Sequence, residues 1–303
     1  MRVLSKEYTL FKWLPPKRRV KLSVAFPSSV LSVEPSLYKK TLVSGFIARA
    51  LAIFRVSNSY IYLDSKESIN DLRILESILR YITTPPYLRK YLHKLRSELR
   101  YVGILPPLAL PSHYLGEEPL TNGMIREGIV FIKSGRPYVY VGSEQLFRLK
   151  AGRLRKDLRN LQRVTVRLVS IKRKIAELVS DEEIPCYWGF TIEIFNSLKE
   201  LIQTKVSRDV FAILTSKRGV AIHECISKLS RRKGGCSEVL MIFGSPKLDA
   251  DEIAYREGFD LHDYVECIIN TAPYQGVRTI RTYEALYISL ALLNNELLRY
   301  GIQ

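Results

Sequence analysis

Val265-Glu266-Cys267-Ile268-Ile269-Asn270-Thr271-Ala272-Pro273-Tyr274-Gln275-Gly276-Val277-Arg278-Thr279-Ile280-Arg281-Thr282 leads straight into residues 283–298. A short β-branched run stops at a polar loop carrying Pro273 and Gly276, and that loop opens a long segment whose apolar residues recur at helical spacing. The pattern predicts strand, ligand loop, helix. Loops of this kind sit at the carboxyl ends of α/β strands, where backbone groups freed from the sheet can hold a small molecule.

Working back along the chain, the same alternation recurs. Strands are expected at 209–214, ending in Thr215-Ser216-Lys217-Arg218-Gly219, and at 238–243, ending in Gly244-Ser245-Pro246, with helices over 195–205 and about 250–258. Three strands therefore present loops at one edge. The chain opens in the same style, with a strand at 21–27, a helix from Glu34-Pro35-Ser36 to about Phe54, a strand at 60–64 and a helix over 69–82. In the first of these helices Arg49 lies at the same turn as the apolar stripe of Phe46, Ala50 and Ile53. Pro85-Pro86 ends the second, and a basic, aromatic helix begins at Tyr87.

From about Gly116 the texture changes to strand alternation. Candidate strands at 125–132, 136–141, 145–149, 163–170 and 187–194 suggest a small barrel of OB type, inserted into the α/β domain. Between Lys133 and Glu177 there are 13 Lys and Arg against 3 Asp and Glu. Such a run is often only a solvated face. Here the charges ride on strands interleaved with Phe131, Tyr138, Tyr140 and Phe147, and a basic groove with exposed rings suits looped or single-stranded RNA. Lys150, Arg153, Arg155, Lys156 and Arg159 are the candidate RNA contacts.

Composition narrows the partners. A net charge of +17 points to a polyanion, with nucleic acid ahead of an anionic membrane surface. No apolar run reaches membrane-spanning length, and the basic N-terminus lacks a signal peptide's apolar core and cleavage site, which reads as a cytoplasmic chain. Cys186, Cys225, Cys236 and Cys267 are far apart and the four histidines lack ligand spacing, so reduced, buried thiols are expected and a metal is not.

Phe243-Gly244-Ser245-Pro246-Lys247, the run Asn270 to Gly276, and Arg278-Thr279-Ile280-Arg281-Thr282-Tyr283-Glu284-Ala285 together resemble the SPOUT superfamily of S-adenosylmethionine-dependent RNA methyltransferases. Within it they are similar to the archaeal and eukaryotic branch with an inserted barrel, linked to N3-methylation of uridine in large-subunit ribosomal RNA. The resemblance covers nearly the whole chain, with Trp188-Gly189-Phe190 marking the return from the barrel. It implies an α/β domain with a C-terminal trefoil knot from residues 1–115 and 187–303, and an inserted OB-like barrel from 116–186.

By the same resemblance, S-adenosylmethionine binds bent inside the knot against Thr215 and Ser216 of the first loop, Gly244 of the second, and Asn270, Thr271, Gln275, Gly276, Arg278, Thr279 and Ile280 of the third. Taken singly, Gly276 could serve only a turn and Asn270 only cap the loop. The chain departs from the family where a Gly-Gly pair and a further Gly are usual after Gly244, and where Tyr283-Glu284 replaces a Glu-Glu pair. Arg49 is the expected catalytic arginine, with a helix-surface ion pair as its alternative; Arg281 is a second candidate, and Glu284 could assist deprotonation. The resemblance also implies a homodimer, and Leu286, Ile288, Leu290, Leu293 and Leu297 cover more of the last helix than one core face needs. The competing functions are an RNA-binding assembly factor of weak catalytic power and a general polyanion or membrane-surface binder.

Overall fold

The computed structural model describes residues 14–113, 119–150, 158–232 and 234–302. Two compact units emerge. Among the described residues, one holds 18–84, 93–108 and those from 189 onward; the other holds 14–17, Pro85–Leu92 and those between 109 and 188.

The larger unit begins with β1 (Lys21–Pro27), in which every position after Lys21 is buried. A strand covered on both faces belongs inside a parallel sheet. Ser36 then caps α1 (Leu37–Ile53), its hydroxyl accepting from the Lys39 N–H at 3.3 Å. β2 (Asn58–Tyr62) and α2 (Ile69–Ile82) complete a βαβα start. The chain passes through α3 (Pro86–Leu92) and the five strands β3 to β7 of the other unit, and returns at β8 (Thr191–Phe195).

Beyond it come α4 (Leu198–Lys205), β9 (Val210–Val220), α5 (Ile222–Arg231), β10 (Glu238–Ile242), α6 (Ala250–Arg256), β11 (Cys267–Ile269) and α7 (Thr282–Arg299). The sheet order is β11-β9-β10-β1-β2-β8, with each neighbouring pair parallel. α4 and α6 seal one face with Leu198, Leu201, Ile202, Ile253 and Ala254 against Tyr62, Leu214 and Ile242. α7 contributes Leu286, Leu290, Leu293 and Leu297, a buried stripe whose members stabilise by about 1.5–3 kcal/mol each. The expectation of a second apolar face built from these leucines therefore fails, since one core stripe uses them all and Ile288 is half-buried.

Two strand ends are held unusually close. β9 does not stop at Leu214 as its polar continuation suggested; it runs on to Val220, which pairs with Ile269 after a register shift. A Cβ on Gly219 would stand 2.3 Å from the Ile269 carbonyl carbon, so glycine is what allows the two backbones to touch. α5, absent from the expected elements, packs on β11, and Cys225 and Cys267 are joined there as a disulfide with Cα atoms 5.8 Å apart. This corrects the expectation of four reduced thiols; that separation lies within the span of a disulfide.

The smaller unit is a closed barrel of β3 (Ile125–Lys133), β4 (Arg136–Tyr140), β5 (Phe147–Leu149), β6 (Arg163–Ser170) and β7 (Ile175–Leu178), in the order β3-β4-β5-β7-β6. Its fifth strand is β7; the segment at 187–194 lends its second half to the parallel sheet as β8. Ser134 and Gly135, both at positive φ, make the two-residue turn between β3 and β4. Val130, Val139, Phe147, Leu149, Val166, Leu168 and Ala176 fill the interior.

Candidate functional site

The three loops at one end of the sheet are tied to each other by named bonds. In the first, the Thr215 hydroxyl donates to the Ile242 carbonyl at 2.9 Å, and Ser216 Oγ donates to Asp249 Oδ2 at 3.3 Å. In the second, the Tyr62 hydroxyl, fully buried, donates to the Phe243 carbonyl at 2.6 Å. Burial raises the Tyr62 phenol well above its ordinary pKa, so it stays a donor. Ser245 then folds the loop back, its hydroxyl accepting from the Leu248 N–H at 2.9 Å while its own N–H donates to the Leu248 carbonyl at 2.8 Å. Gly244 is required by that fold, because a Cβ would stand 2.7 Å from the Leu248 carbonyl oxygen and 2.9 Å from the Ala250 nitrogen.

The third loop is anchored by Asn270, whose amide donates to the Lys217 carbonyl at 2.9 Å and accepts from the Ala272 N–H at 3.0 Å. Thr271 and Ser289 share a hydroxyl bond of 2.8 Å that joins the loop to α7. Gln275 donates to the Val277 carbonyl at 2.8 Å, and Lys217 Nζ donates to the Arg278 carbonyl at 3.3 Å. Tyr274, at the tip, holds φ +57 with its ring fully exposed, a costly backbone for a large side chain.

These loops wall a cleft with about 600 Å³ of empty space, part of it open to solvent. Of the sequence-derived donor residues, Thr215, Ser216, Gly244, Asn270, Thr271, Gln275 and Ile280 line it, while Gly276, Arg278 and Thr279 are exposed and do not. Sequence reasoning missed Lys217, Ser245, Asp249, Thr282, Ala285 and Ser289, which line it too. The last three recur at positions i, i+3 and i+7 of α7, a stripe of small residues whose spacing could have placed them on one face. A larger and more open groove beside α6, lined by Arg218, Tyr255, Arg256 and His262, contains none of the expected donor residues. The smaller cleft is the candidate site because three strand ends converge on it.

The catalytic candidates fare differently. Arg281 is ion-paired with Glu34, and Glu284 accepts the Arg281 N–H at 2.8 Å, the bond of a helix-start capping box. Neither lines the cleft, and Glu284 is occupied in starting α7. Arg49 is half-buried on α1; its guanidinium donates to the Leu108 carbonyl at 3.4 Å and faces Tyr287 of α7. It does not line the cleft either.

On the barrel, charge is sorted by side. Arg163 pairs with Glu127 at 2.7 Å, and Arg167 with Glu177 at 3.1 Å and Glu183 at 3.4 Å, so the β3-β6-β7 flank is neutralised. Arg148, cross-strand partner of Tyr138, and Lys150, Arg159, Lys172, Arg173 and Lys174 make no ion pair among the described residues. Arg153, Arg155 and Lys156 lie outside the described residues. The expected row of exposed rings is shorter than its sequence suggested: Phe147 is core, and Phe131 and Tyr140 pack on Tyr91 of α3 at 5.5 and 5.2 Å. Tyr138 stays half-exposed beside Arg148.

Among the described residues no helix is long and apolar enough to cross a membrane, and no three His, Cys, Asp or Glu side chains are grouped to hold a metal ion.

The larger unit is a parallel α/β sheet with a polar cleft at its carboxyl edge, and the smaller is a closed barrel with an unneutralised basic flank. Residues 21–293 match the family described as "Putative RNA methyltransferase", and the chain belongs to that family. It is 30% identical over 313 residues to a 28S rRNA (uridine-N(3))-methyltransferase of Drosophila melanogaster, covering 91% of this chain and 62% of the relative. It is 30% identical over 320 residues to the human protein of the same description, covering 92% and 79%. An uncharacterized protein of Haloarcula marismortui is 30% identical over 285 residues, with 89% and 98% covered. The chain thus spans less than two thirds of the fly relative's length.

The two loop glycines separate in a folding experiment. Gly244→Ala forces the second loop off the Leu248 carbonyl and is expected to destabilise by about 1–3 kcal/mol. Gly276→Val meets nothing within 4 Å of the new Cβ and leaves the melting temperature within a degree or two of wild type, apart from the modest cost of a branched residue in a loop. Equal melting of the two variants by calorimetry contradicts this packing of the second loop.

Proposed function

We propose that this chain is an S-adenosylmethionine-dependent RNA methyltransferase acting on N3 of uridine in large-subunit ribosomal RNA. The observation that carries the reading is the family match over 21–293, whose three strand-end loops meet in one cleft. The residues present suit the donor. Hydroxyls of Thr215, Ser216 and Thr271 and the amides of Asn270 and Gln275 offer polar contacts, and Ile269, Ile280 and Ala285 give apolar walls. S-adenosylmethionine, when bound, supplies an electrophilic methyl group on a cationic sulfur.

For uridine N3 to be the acceptor, its proton would have to be removed and its lone pair aimed at that methyl group, and the residues of the three loops would hold the donor for this. The protein's tasks are to align the base and to counter charge on O2 and O4. Arg281 and Glu284 are engaged with Glu34 and with the start of α7, which leaves Arg49 as the arginine we assign to the base. Single-turnover transfer from labelled donor to large-subunit RNA, with mass spectrometry of the product nucleoside, tests this. Arg49→Ala lowers transfer by roughly 10²–10³ with donor affinity kept; a methyl group found anywhere but uridine N3 overturns the substrate reading.

The trefoil knot is supported by the return of β11 beside β9, the pressed contact at Gly219 and the loop-to-loop bonds of Asn270. An OB-type barrel is supported by the strand order and by the parallel pairing of β5 with β7, the other barrel pairs being antiparallel. We assign RNA binding to the unneutralised flank of that barrel. Removing Arg148, Lys150 and Lys174 together weakens RNA binding and lowers the slope of log affinity against log salt by about 0.7–0.9 for each phosphate that is no longer neutralised. An unchanged slope means that these charges are merely solvated.

We further assign a homodimer to the face formed by α1 and α7, on different residues from those first expected. Phe46 and Ile53 of α1 and Leu292 and Leu298 of α7 are exposed, with Phe46 against Tyr283 at 5.6 Å. Light scattering at micromolar concentration should give twice the chain mass, and Ile53→Glu should halve it; a monomeric wild type removes the assignment.

A further inference from the structure

We propose that Asp249 is the specificity residue that distinguishes the cationic sulfonium donor from the neutral sulfide left after transfer. The proposal rests on the reading of the cleft as a donor site, and it deepens that reading.

Among the described residues that line the cleft, Asp249 is the sole carboxylate. The remainder are hydroxyls, amides, apolar groups and one lysine, Lys217, whose ammonium donates to the Arg278 carbonyl. Asp249 follows Ser245-Pro246-Lys247-Leu248, and its spacing to Glu252 marks it in the sequence only as a helix start. Its placement comes from Ser245, whose bonds to Leu248 curl the loop back until the Asp249 Cα stands only 2.9 Å from where a Gly244 side chain would begin. Ser216 then donates to Oδ2 at 3.3 Å across the gap between the first and second loops, orienting the carboxylate. Asp249 also stands at the N-cap of α6, in a capping box with Glu252, but no cation pairs with it within the described residues, so its negative charge is not cancelled there.

S-adenosylmethionine and S-adenosylhomocysteine share the adenine, the ribose diol, the ammonium and the carboxylate. They differ by the methyl group and by one positive charge, on sulfur. A half-buried carboxylate close to that sulfur favours the charged form, because the interaction is screened less there than in water. When the methyl group leaves, the charge leaves with it and this attraction disappears. The same residue that draws in the donor thus loosens the product.

The experiment is calorimetric titration of wild type, Asp249→Asn and Ser216→Ala with S-adenosylmethionine and, separately, with S-adenosylhomocysteine, at two salt concentrations. Asparagine also serves at a helix start, so Asp249→Asn keeps the beginning of α6 and its melting temperature. The expected result is about a tenfold loss of donor affinity with product affinity held within about threefold, a tenfold ratio being about 1.4 kcal/mol. Ser216→Ala moves the ratio in the same direction by less. If Asp249→Asn weakens both ligands equally, the carboxylate holds the ribose or amino group and the proposal is overturned; if neither changes, Asp249 serves only the helix and it is overturned likewise. Failure of wild type to bind either ligand overturns the donor reading itself, an outcome distinct from both.

Discussion

Everything at the ligand edge depends on the missing side chain of Gly219. Because the backbone of residue 219 lies against Ile269, the ends of β9 and β11 are not two neighbouring loops but one shared wall. The Asn270 N–H reaches the Val220 carbonyl at 2.8 Å and its side chain reaches that of Lys217, bonds available only at this separation. Thr215 extends the wall to β10, and Tyr62 extends it to β2 through the Phe243 carbonyl. A ligand edge cross-braced in this way is pre-organised, and little ordering is left for a bound molecule to impose.

The two units divide the work by charge. The cleft is nearly neutral, with hydroxyls and amides facing one carboxylate and one lysine. The barrel keeps its acids for its own arginines on the β3-β6-β7 flank and leaves the cations of β5 and the β6–β7 turn uncommitted. A polyanion attracted by net charge alone would be held anywhere on such a chain; with the acids sorted to one flank, it would find a preferred place on the other.

Sequence reading reached the elements whose signals are local. β1 and α2 were legible to the residue because a continuous apolar run and an amphipathic repeat declare themselves without help from distant chain. The continuation of β9 was not, since Thr215-Ser216-Lys217-Arg218-Gly219 looks like a loop until Ile269, fifty residues on, supplies its partner. β7 hid because Ile175–Leu178 is four residues long and follows a run of cations, whereas the segment at 187–194 offered a louder strand whose second half belongs to the parallel sheet as β8. α5 was a plain miss: Ile222, Cys225, Ile226 and Leu229 stand at i, i+3, i+4 and i+7. Seven of the ten donor residues fell in the cleft, the three exceptions being those whose loop positions a motif can count but not aim. Glu284, expected to assist deprotonation, accepts the Arg281 N–H, since a carboxylate three residues into a helix serves the backbone first.

The second loop shows how a changed sequence can keep a site while altering its terms. A glycine run binds by leaving its N–H groups free and allowing the ligand close to the main chain. Here Gly244 is spent on the loop's own backbone at Leu248 to Ala250, and Ser245 consumes the N–H groups of Lys247 and Leu248 internally, at 3.3 and 2.9 Å. Those two donors are then closed to a ligand, and what the loop carries to the cleft is the side chain at its end, Asp249. Recognition at this loop shifts from main-chain donors, which suit an acceptor, to a carboxylate, which suits a cation or a hydroxyl donor. A loop built in this way presents the cleft with a negative side chain in place of free main-chain N–H groups, contacts of opposite sign.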